Sequence, residues 1–300
     1  PAHFIWRGLS DSMEKLCLEV QDLTKRYDAS EFSLDHLNFK VPYGSVMGLI
    51  GENGAGKTTT LKLILNLMRR DAGTIKLFGL DNIRDEGAIK QQIGVVFDEN
   101  HFHELFSPAD IAKILRSLYQ KWDDNLFQQY LRRFQLPADK PIKTYSRGMK
   151  VKLSIASALA HHPKLLLLDE PTSGLDPVVR DEILSIFFDF IQDEEHTILM
   201  SSHITGDLEK IADYVTFLHQ GRLVFSGVKD DLLDSHGIVK CNASERKRID
   251  PKWIVKQRTG PFGCEILVNN KAAVRHLYPE LLVDNASLEE IMLFHVKGEK

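Results

Sequence analysis

SVMGLIGENGAGKTTT, residues 45–60, sets a short apolar run against a glycine-rich stretch that ends in one lysine and three threonines. The run has the length of a strand buried on both faces. Beyond it, Leu61, Ile64, Leu65 and Met68 recur at helical spacing. Strand, glycine loop and helix, in that order, are the context in which G-x-x-x-x-G-K-[ST], matched from Gly51 to Thr58, forms a phosphate-binding loop. Gly51, Gly54 and Gly56 allow the backbone angles and close approach that turn amides onto phosphate oxygens, with Glu52, Asn53 and Ala55 completing the loop. The helix that begins near Lys57 adds its positive dipole end. Lys57 can reach the β- and γ-phosphates, Thr58 can give its hydroxyl to Mg2+, and Thr59 can touch the α-phosphate. This much predicts a bound nucleoside triphosphate, and no more.

Composition narrows the class from the other side. The 300 residues can bury a substantial core, and length alone suggests about one to three domains. With 38 Lys and Arg against 42 Asp and Glu, the formal charge of −4 gives no basic surplus, so no nucleic-acid partner is expected. Three widely spaced cysteines, Cys17, Cys241 and Cys264, support neither a disulfide framework nor a zinc site, and they fit a reducing compartment. No apolar run approaches the ~18 to 20 residues that cross a bilayer, and the start of the chain lacks the build of a secretory signal. A chain soluble by itself is expected. Residues 1–13 read either as an N-terminal extension or as a cloning remnant.

Organisation follows the periodicity. Leu16, Leu18 and Val20, then Leu37, Phe39 and Val41, alternate with mostly polar neighbours, as strands do. Between Asp98 and Thr144 the chain turns to helices rich in aromatics and charge, which predicts an inserted helical lobe over about 98–160. Residues 145–236 return to alternating helix and strand, the mark of an α/β core. Residues 237–300 read as a small α+β appendage. Two strands flank a Gly/Pro turn in WIVKQRTGPFGCEILV, and Ser287 with Glu290 makes a capping box for a final helix.

Two further stretches carry chemistry. In HPKLLLLDEPTSGLD a strand of four leucines ends in Asp169 and Glu170, at the carboxyl edge where open α/β sheets bind ligands. Asp169 suits a Mg2+ contact, and Glu170 suits polarisation of the water that attacks the γ-phosphate. In YSRGMKVKLSIASALAHHP, Ser146 and Gly148 open a helix with Leu153, Ile155, Ala156 and Leu159 on its apolar positions. That second phosphate-binding edge is surplus to a subunit already holding its phosphates at Gly51 to Thr59.

The combination, over roughly residues 14–236, resembles the nucleotide-binding subunit of ABC transporters, and of bacterial ABC-2-type exporters in particular. GENGAGKTT resembles Walker A, YSRGM the signature LSGGQ, LLLLDE Walker B, SGLD the D-loop and SSH the switch histidine. The resemblance implies an α/β P-loop NTPase core with an antiparallel β subdomain, ATP and Mg2+ as ligands, and ATP hydrolysis as the reaction. It implies two subunits head to tail, with each ATP between one Walker A and the other subunit's signature. Ser146 and Gly148 would then touch the partner's γ-phosphate, Asp176 would cross the interface, and His203 would contact the γ-phosphate beside Glu170. Tyr27 matches the aromatic that stacks on adenine.

Two motifs depart from that pattern. Asp98 stands where the Q-loop glutamine is usual and is expected as a third metal contact with Thr58 and Asp169, and the signature reads Ser-Arg-Gly-Met for Ser-Gly-Gly-Gln. Because the chain has no membrane span, the resemblance implies a separate integral membrane permease and a place at the cytoplasmic face of the membrane. Phe102 and Phe106, on the helical lobe, are possible docking contacts. Glu170 in both halves favours a homodimer, a heterodimer being the alternative. The tail DNASLEEIMLFHVKGE resembles that of exporters of drugs or peptides. Rival readings are a soluble ABC ATPase acting on ribosomes or DNA, which lacks support from a second cassette or a coiled coil, and a non-hydrolysing ATP sensor, which Glu170 and His203 oppose.

Overall fold

In the computed structural model, which describes residues 15–27, 30–98, 101–260 and 263–299, the opening alternation becomes a hairpin of long strands. The strands β1 (Leu16–Tyr27) and β2 (Ser30–Pro42) pair antiparallel, and the inward residues Leu18, Val20, Leu37, Phe39 and Val41 are fully buried. The segment 1–13 and Pro261 of the expected Gly/Pro turn lie outside the described residues.

The next elements are β3 (Val46–Ile50) and α1 (Lys57–Ile64). All five residues of β3 are buried. The helical spacing read through Met68 breaks earlier, because Asn66 takes a φ of 53° and α1 stops at Ile64. Then come β4 (Ala72–Leu77), β5 (Leu80–Asp81), α2 (Glu86–Lys90) and β6 (Ile93–Val96). Strands β4 and β5 extend the first hairpin into a four-stranded antiparallel sheet of order β2-β1-β4-β5.

The aromatic and charged stretch forms α3 (Pro108–Leu118), α4 (Asp124–Arg133) and α5 (Arg147–Leu159). Each begins on a side-chain cap. Ser107 forms a capping box with Asp110, Asp123 accepts from the Leu126 amide, and Ser146 accepts from the Met149 amide.

The core continues through β7 (Leu165–Asp169), α6 (Pro177–Phe190), β8 (Thr197–Ser202), α7 (Thr205–Ile211), β9 (Tyr214–His219) and β10 (Arg222–Val228). These strands join β3 and β6 in a six-stranded sheet of order β10-β9-β3-β8-β7-β6. It is parallel from β9 to β6, and β10 runs antiparallel at the edge. Strands β3, β7 and β8 are buried from end to end, as parallel strands covered on both faces must be.

The remaining elements are α8 (Lys229–Ser235), β11 (Gly237–Cys241), α9 (Ala243–Arg246), β12 (Ile254–Gly260), β13 (Gly263–Val268), α10 (Lys271–Leu277), β14 (Leu282–Asn285) and α11 (Leu288–Lys297). Their strands make a third sheet of order β12-β13-β11-β14. Helix α11 opens on the capping box of Ser287 and Glu290, and it packs back onto the core of the six-stranded sheet rather than onto its own sheet alone. Leu288, Ile291 and Phe294 share one apolar cluster with Phe217 and Phe225 of β9 and β10, and the Leu288 amide donates to Glu209 Oε1 of α7 at 2.7 Å.

His295 of α11 lies edge-on to Phe217, 5.8 Å between centroids. Burial, and then the charges of His236, Lys256 and His219, push its pKa down to about 4. The folded protein therefore refuses a proton that the unfolded chain accepts near pH 6.5. Above pH 6.5 this group contributes nothing; between pH 6.5 and about 4 it costs stability, up to ~3 kcal/mol at the low end. His295→Leu should remove part of the acid loss in that window while leaving urea stability at pH 8 within about 1.5 kcal/mol, and denaturation at a series of pH values checks it.

Candidate functional site

Register brings the predicted residues together. Ile50 of β3 pairs with Ser202 of β8, and Asp169 of β7 pairs with Ser201, so three neighbouring parallel strands end level at their carboxyl edge. The loop from Gly51, the acids Asp169 and Glu170, and His203 all leave the sheet there. A cleft of about 510 Å3 opens at that edge, lined by Phe32, Glu52, Asn53, Gly54, Gly56, Lys57, Thr58, Thr59, Asp98, Asp169 and Glu170.

The loop has the shape that its glycines permit. Gly54 and Gly56 hold φ of 82° and 108°, and a Cβ on Gly56 would fall 2.4 Å from Leu34 Cδ2. Above Gly54 the space is open, with no heavy atom within 4 Å of such a Cβ. Gly51 is closed in by the Leu218 carbonyl, 2.5 Å from where its Cβ would stand, and Ala55 is buried beneath the loop. Lys57 turns back over this cradle, and its Nζ donates to the carbonyls of Gly51 at 2.7 Å and Glu52 at 3.2 Å. The Glu52 carboxylate lies 2.8 Å from His219 Nδ1 at the end of β9.

Glu170 sits between a cation and an imidazole. Its Oε1 lies 3.2 Å from Lys57 Nζ, and its Oε2 accepts from the His203 amide at 3.1 Å and meets His203 Nδ1 at 2.7 Å. Lys57 is nearly buried and Glu170 little exposed, so the attraction is less screened than on an open surface. Oε1 is buried, and the Lys57 ammonium is the charge that faces it. The Glu170 backbone holds a φ of 51°, a strained conformation for a residue with a Cβ.

Ser201 supports both acids, a role the sequence reading missed. Its hydroxyl donates to Asp169 Oδ1 at 2.6 Å and accepts from the Glu170 amide at 3.0 Å. The available signal was a hydroxyl two places before His203 on a fully buried strand. Phe32, which lines the cleft from β2, was also missed.

Other expected residues are more distant. The Tyr27 hydroxyl approaches Thr59 Oγ1 at 3.5 Å and donates to Met68 Sδ at 3.2 Å; its ring lies 6.2 Å from that of Phe32, outside the lining of the cleft. Ser146, Gly148 and Asp176 do not reach the cleft of their own chain. Ser146 is the exposed cap of α5, Gly148 lies in its first turn, and Asp176 caps α6 by accepting from the Val178 and Val179 amides. Asp98 lines the cleft but spends one oxygen on Arg147, whose Nη2 donates to Oδ1 at 2.6 Å. Phe106 is partly exposed at the turn before α3, and Phe102 lines a cavity of about 250 Å3 with Val95, Phe97, Leu115 and Tyr119. Among the described residues no helix is long and apolar enough to cross a membrane.

A magnesium ion fits this donor set. No ready-made cluster of three His, Cys, Asp or Glu ligands is present among the described residues, and none is needed by an ion that keeps waters and phosphate oxygens in its shell. Thr58, Asp98 and Asp169 offer hard oxygens to the same cleft.

Comparison with known proteins places the chain among relatives. Residues 34–173 match the family described as ABC transporter. The chain is 35% identical over 209 residues to the bacitracin transport ATP-binding protein BcrA of Bacillus licheniformis, covering 69% of this chain and 68% of that protein. It is 34% identical to the lantibiotic transport ATP-binding protein SrtF of Streptococcus pyogenes, covering 69% of this chain and 89% of that one. A solved ATP-binding subunit of an ABC transporter superposes with a TM-score of 0.65 at 29% identity, over 72% of this chain and 91% of that structure.

Ser201→Ala should leave a buried carboxylate oxygen and a backbone amide without partners. A loss of about 1–3 kcal/mol is expected, read as a lower urea midpoint with an unchanged slope.

Proposed function

The chain belongs to the ABC transporter family of ATP-hydrolysing subunits, and we propose that it converts ATP and water to ADP and phosphate in order to drive export through a separate membrane-embedded permease. The observation that carries the reading is the juxtaposition of Glu170 with Lys57 and His203 at the mouth of the glycine loop. The relatives' transport of bacitracin and of a lantibiotic favours a peptide or drug-like cargo.

The roles follow from the geometry. Lys57 exchanges the loop carbonyls it now satisfies for the β- and γ-phosphates, which are stronger acceptors because they are charged. That exchange frees Glu170 Oε1, which then accepts a proton from the attacking water. His203 holds the other carboxylate oxygen in place through two donors, its amide and its ring. Thr58, Asp169 and Asp98 would hold Mg2+, whose chemical contribution is to neutralise charge on the phosphates. Tyr27 and Phe32 provide aromatic surface at the side of the loop where a base would lie.

Ser146, Gly148 and Asp176 belong to the second half of the reading. They sit on the chain's surface and away from its own cleft, as groups that complete a partner's site would. We read the active form as a homodimer with two shared ATP sites, closed by ATP and opened when phosphate leaves. Differential affinity of the two nucleotides for the closed and open states supplies the work. The lobe of α3 and α4 would pass that motion to the permease, holding the chain at the cytoplasmic face of the membrane.

Glu170→Gln should lower ATP turnover by about 10²–10⁴-fold while ATP still binds; unchanged turnover overturns the assignment. The same variant should dimerise on size-exclusion chromatography only when ATP is present, and a monomer under saturating ATP overturns the shared-site reading. Purification from detergent-solubilised native membranes should recover an integral membrane protein, and ribosomal proteins or DNA in its place would favour the soluble alternative.

A further inference from the structure

The two departures in the motif pattern meet in space. Asp98 follows β6 and Arg147 opens α5, 49 residues later, yet Arg147 Nη2 donates to Asp98 Oδ1 at 2.6 Å. The carboxylate lines the phosphate cleft with Lys57, Thr58 and Asp169. The guanidinium also lies over the turn that precedes α6: a Cβ built on Gly174, whose φ is 66°, would stand 3.0 Å from Arg147 Nη1. One side chain therefore links a carboxylate of the cleft to Gly174, in a turn outside the cleft lining.

Stability does not account for the pair. A cation in the first turn opposes the helix dipole, and α5 has no acid there to offset it. Both side chains are about half exposed, 52% for Arg147 and 46% for Asp98, where an ion pair contributes little. Electrostatics gives it a purpose. A nucleotide tail is a polyanion, and an aspartate in its cleft repels it unless something cancels the charge.

We propose that Arg147 is a positioning residue acting through Asp98: it neutralises the carboxylate while the cleft holds no divalent cation, and yields it to the metal ion that arrives with the nucleotide. Release leaves the guanidinium free on the surface that carries Ser146 and Gly174. The two unusual residues are then one paired change, an anionic metal contact together with its counter-charge. The inference rests on reading the cleft as a magnesium-nucleotide site.

The test is a double-mutant cycle on ADP affinity, measured by calorimetry with the full chain in EDTA and again in Mg2+. Without metal, Arg147→Ala should weaken ADP binding about three- to fivefold, because Asp98 is left uncompensated. In an Asp98→Gln background the same change should shift affinity less than about 1.5-fold. Mg2+ should remove most of the Arg147→Ala penalty, and Arg147→Lys, which keeps the charge, should stay within about twofold of the parent. Equal penalties in both backgrounds, a penalty that Mg2+ leaves intact, or a loss for Arg147→Lys as large as for Arg147→Ala overturns the proposal and leaves the nucleotide reading standing. Failure of the parent chain to bind ADP at all overturns both.

Discussion

The parallel register of β3, β8 and β7 is the constraint on which the site depends. Each strand is buried along its whole length, and Ile50 comes out level with Ser202 and Asp169 level with Ser201. A slip of one residue would break the fit of apolar side chains on both covered faces and shift Asp169 or His203 along the sheet, away from the loop. The leucines that drive folding thus also set the height at which the acids emerge.

Around that edge, polar groups satisfy one another in an order that a nucleotide can rearrange. Lys57 is held by loop carbonyls and by Glu170, Glu170 by His203, and Asp169 by Ser201. The left-handed backbone of Glu170 lies within the same cluster, at the end of β7 and beside Lys57. At the rim, Asp98 is held in the same way by Arg147.

The last helix ties the C-terminal sheet to this machinery. Phe294 and Ile291 of α11 pack with Phe217 of β9, and β9 ends in His219 beside Glu52 of the glycine loop. The C-terminal elements therefore share a core with the strand whose end meets the glycine loop. Burial of His295 in that contact makes the attachment sensitive to acid, since its imidazole has no room for a charge.

Much of this was legible in the sequence, because local patterns and the chemistry they carry are short-range. The run Val46–Ile50, the glycines, Lys57, the leucines before Asp169 and the cap at Ser287 each follow from neighbours within a few residues, and so do the strands and helices on which they lie. The end of α1 at Ile64 did not, since the apolar spacing continued to Met68 while a left-handed Asn66 broke the helix. Residues joined only through the fold were also hidden: Ser201 bridging two acids, Phe32 brought to the cleft by strand pairing, α11 settling on β9, and Asp98 meeting Arg147. By itself the sequence determined which chemical groups the protein carries and what local shapes present them. The tertiary structure decided which of them face each other, because contacts between distant segments depend on the register of a buried sheet rather than on spacing along the chain.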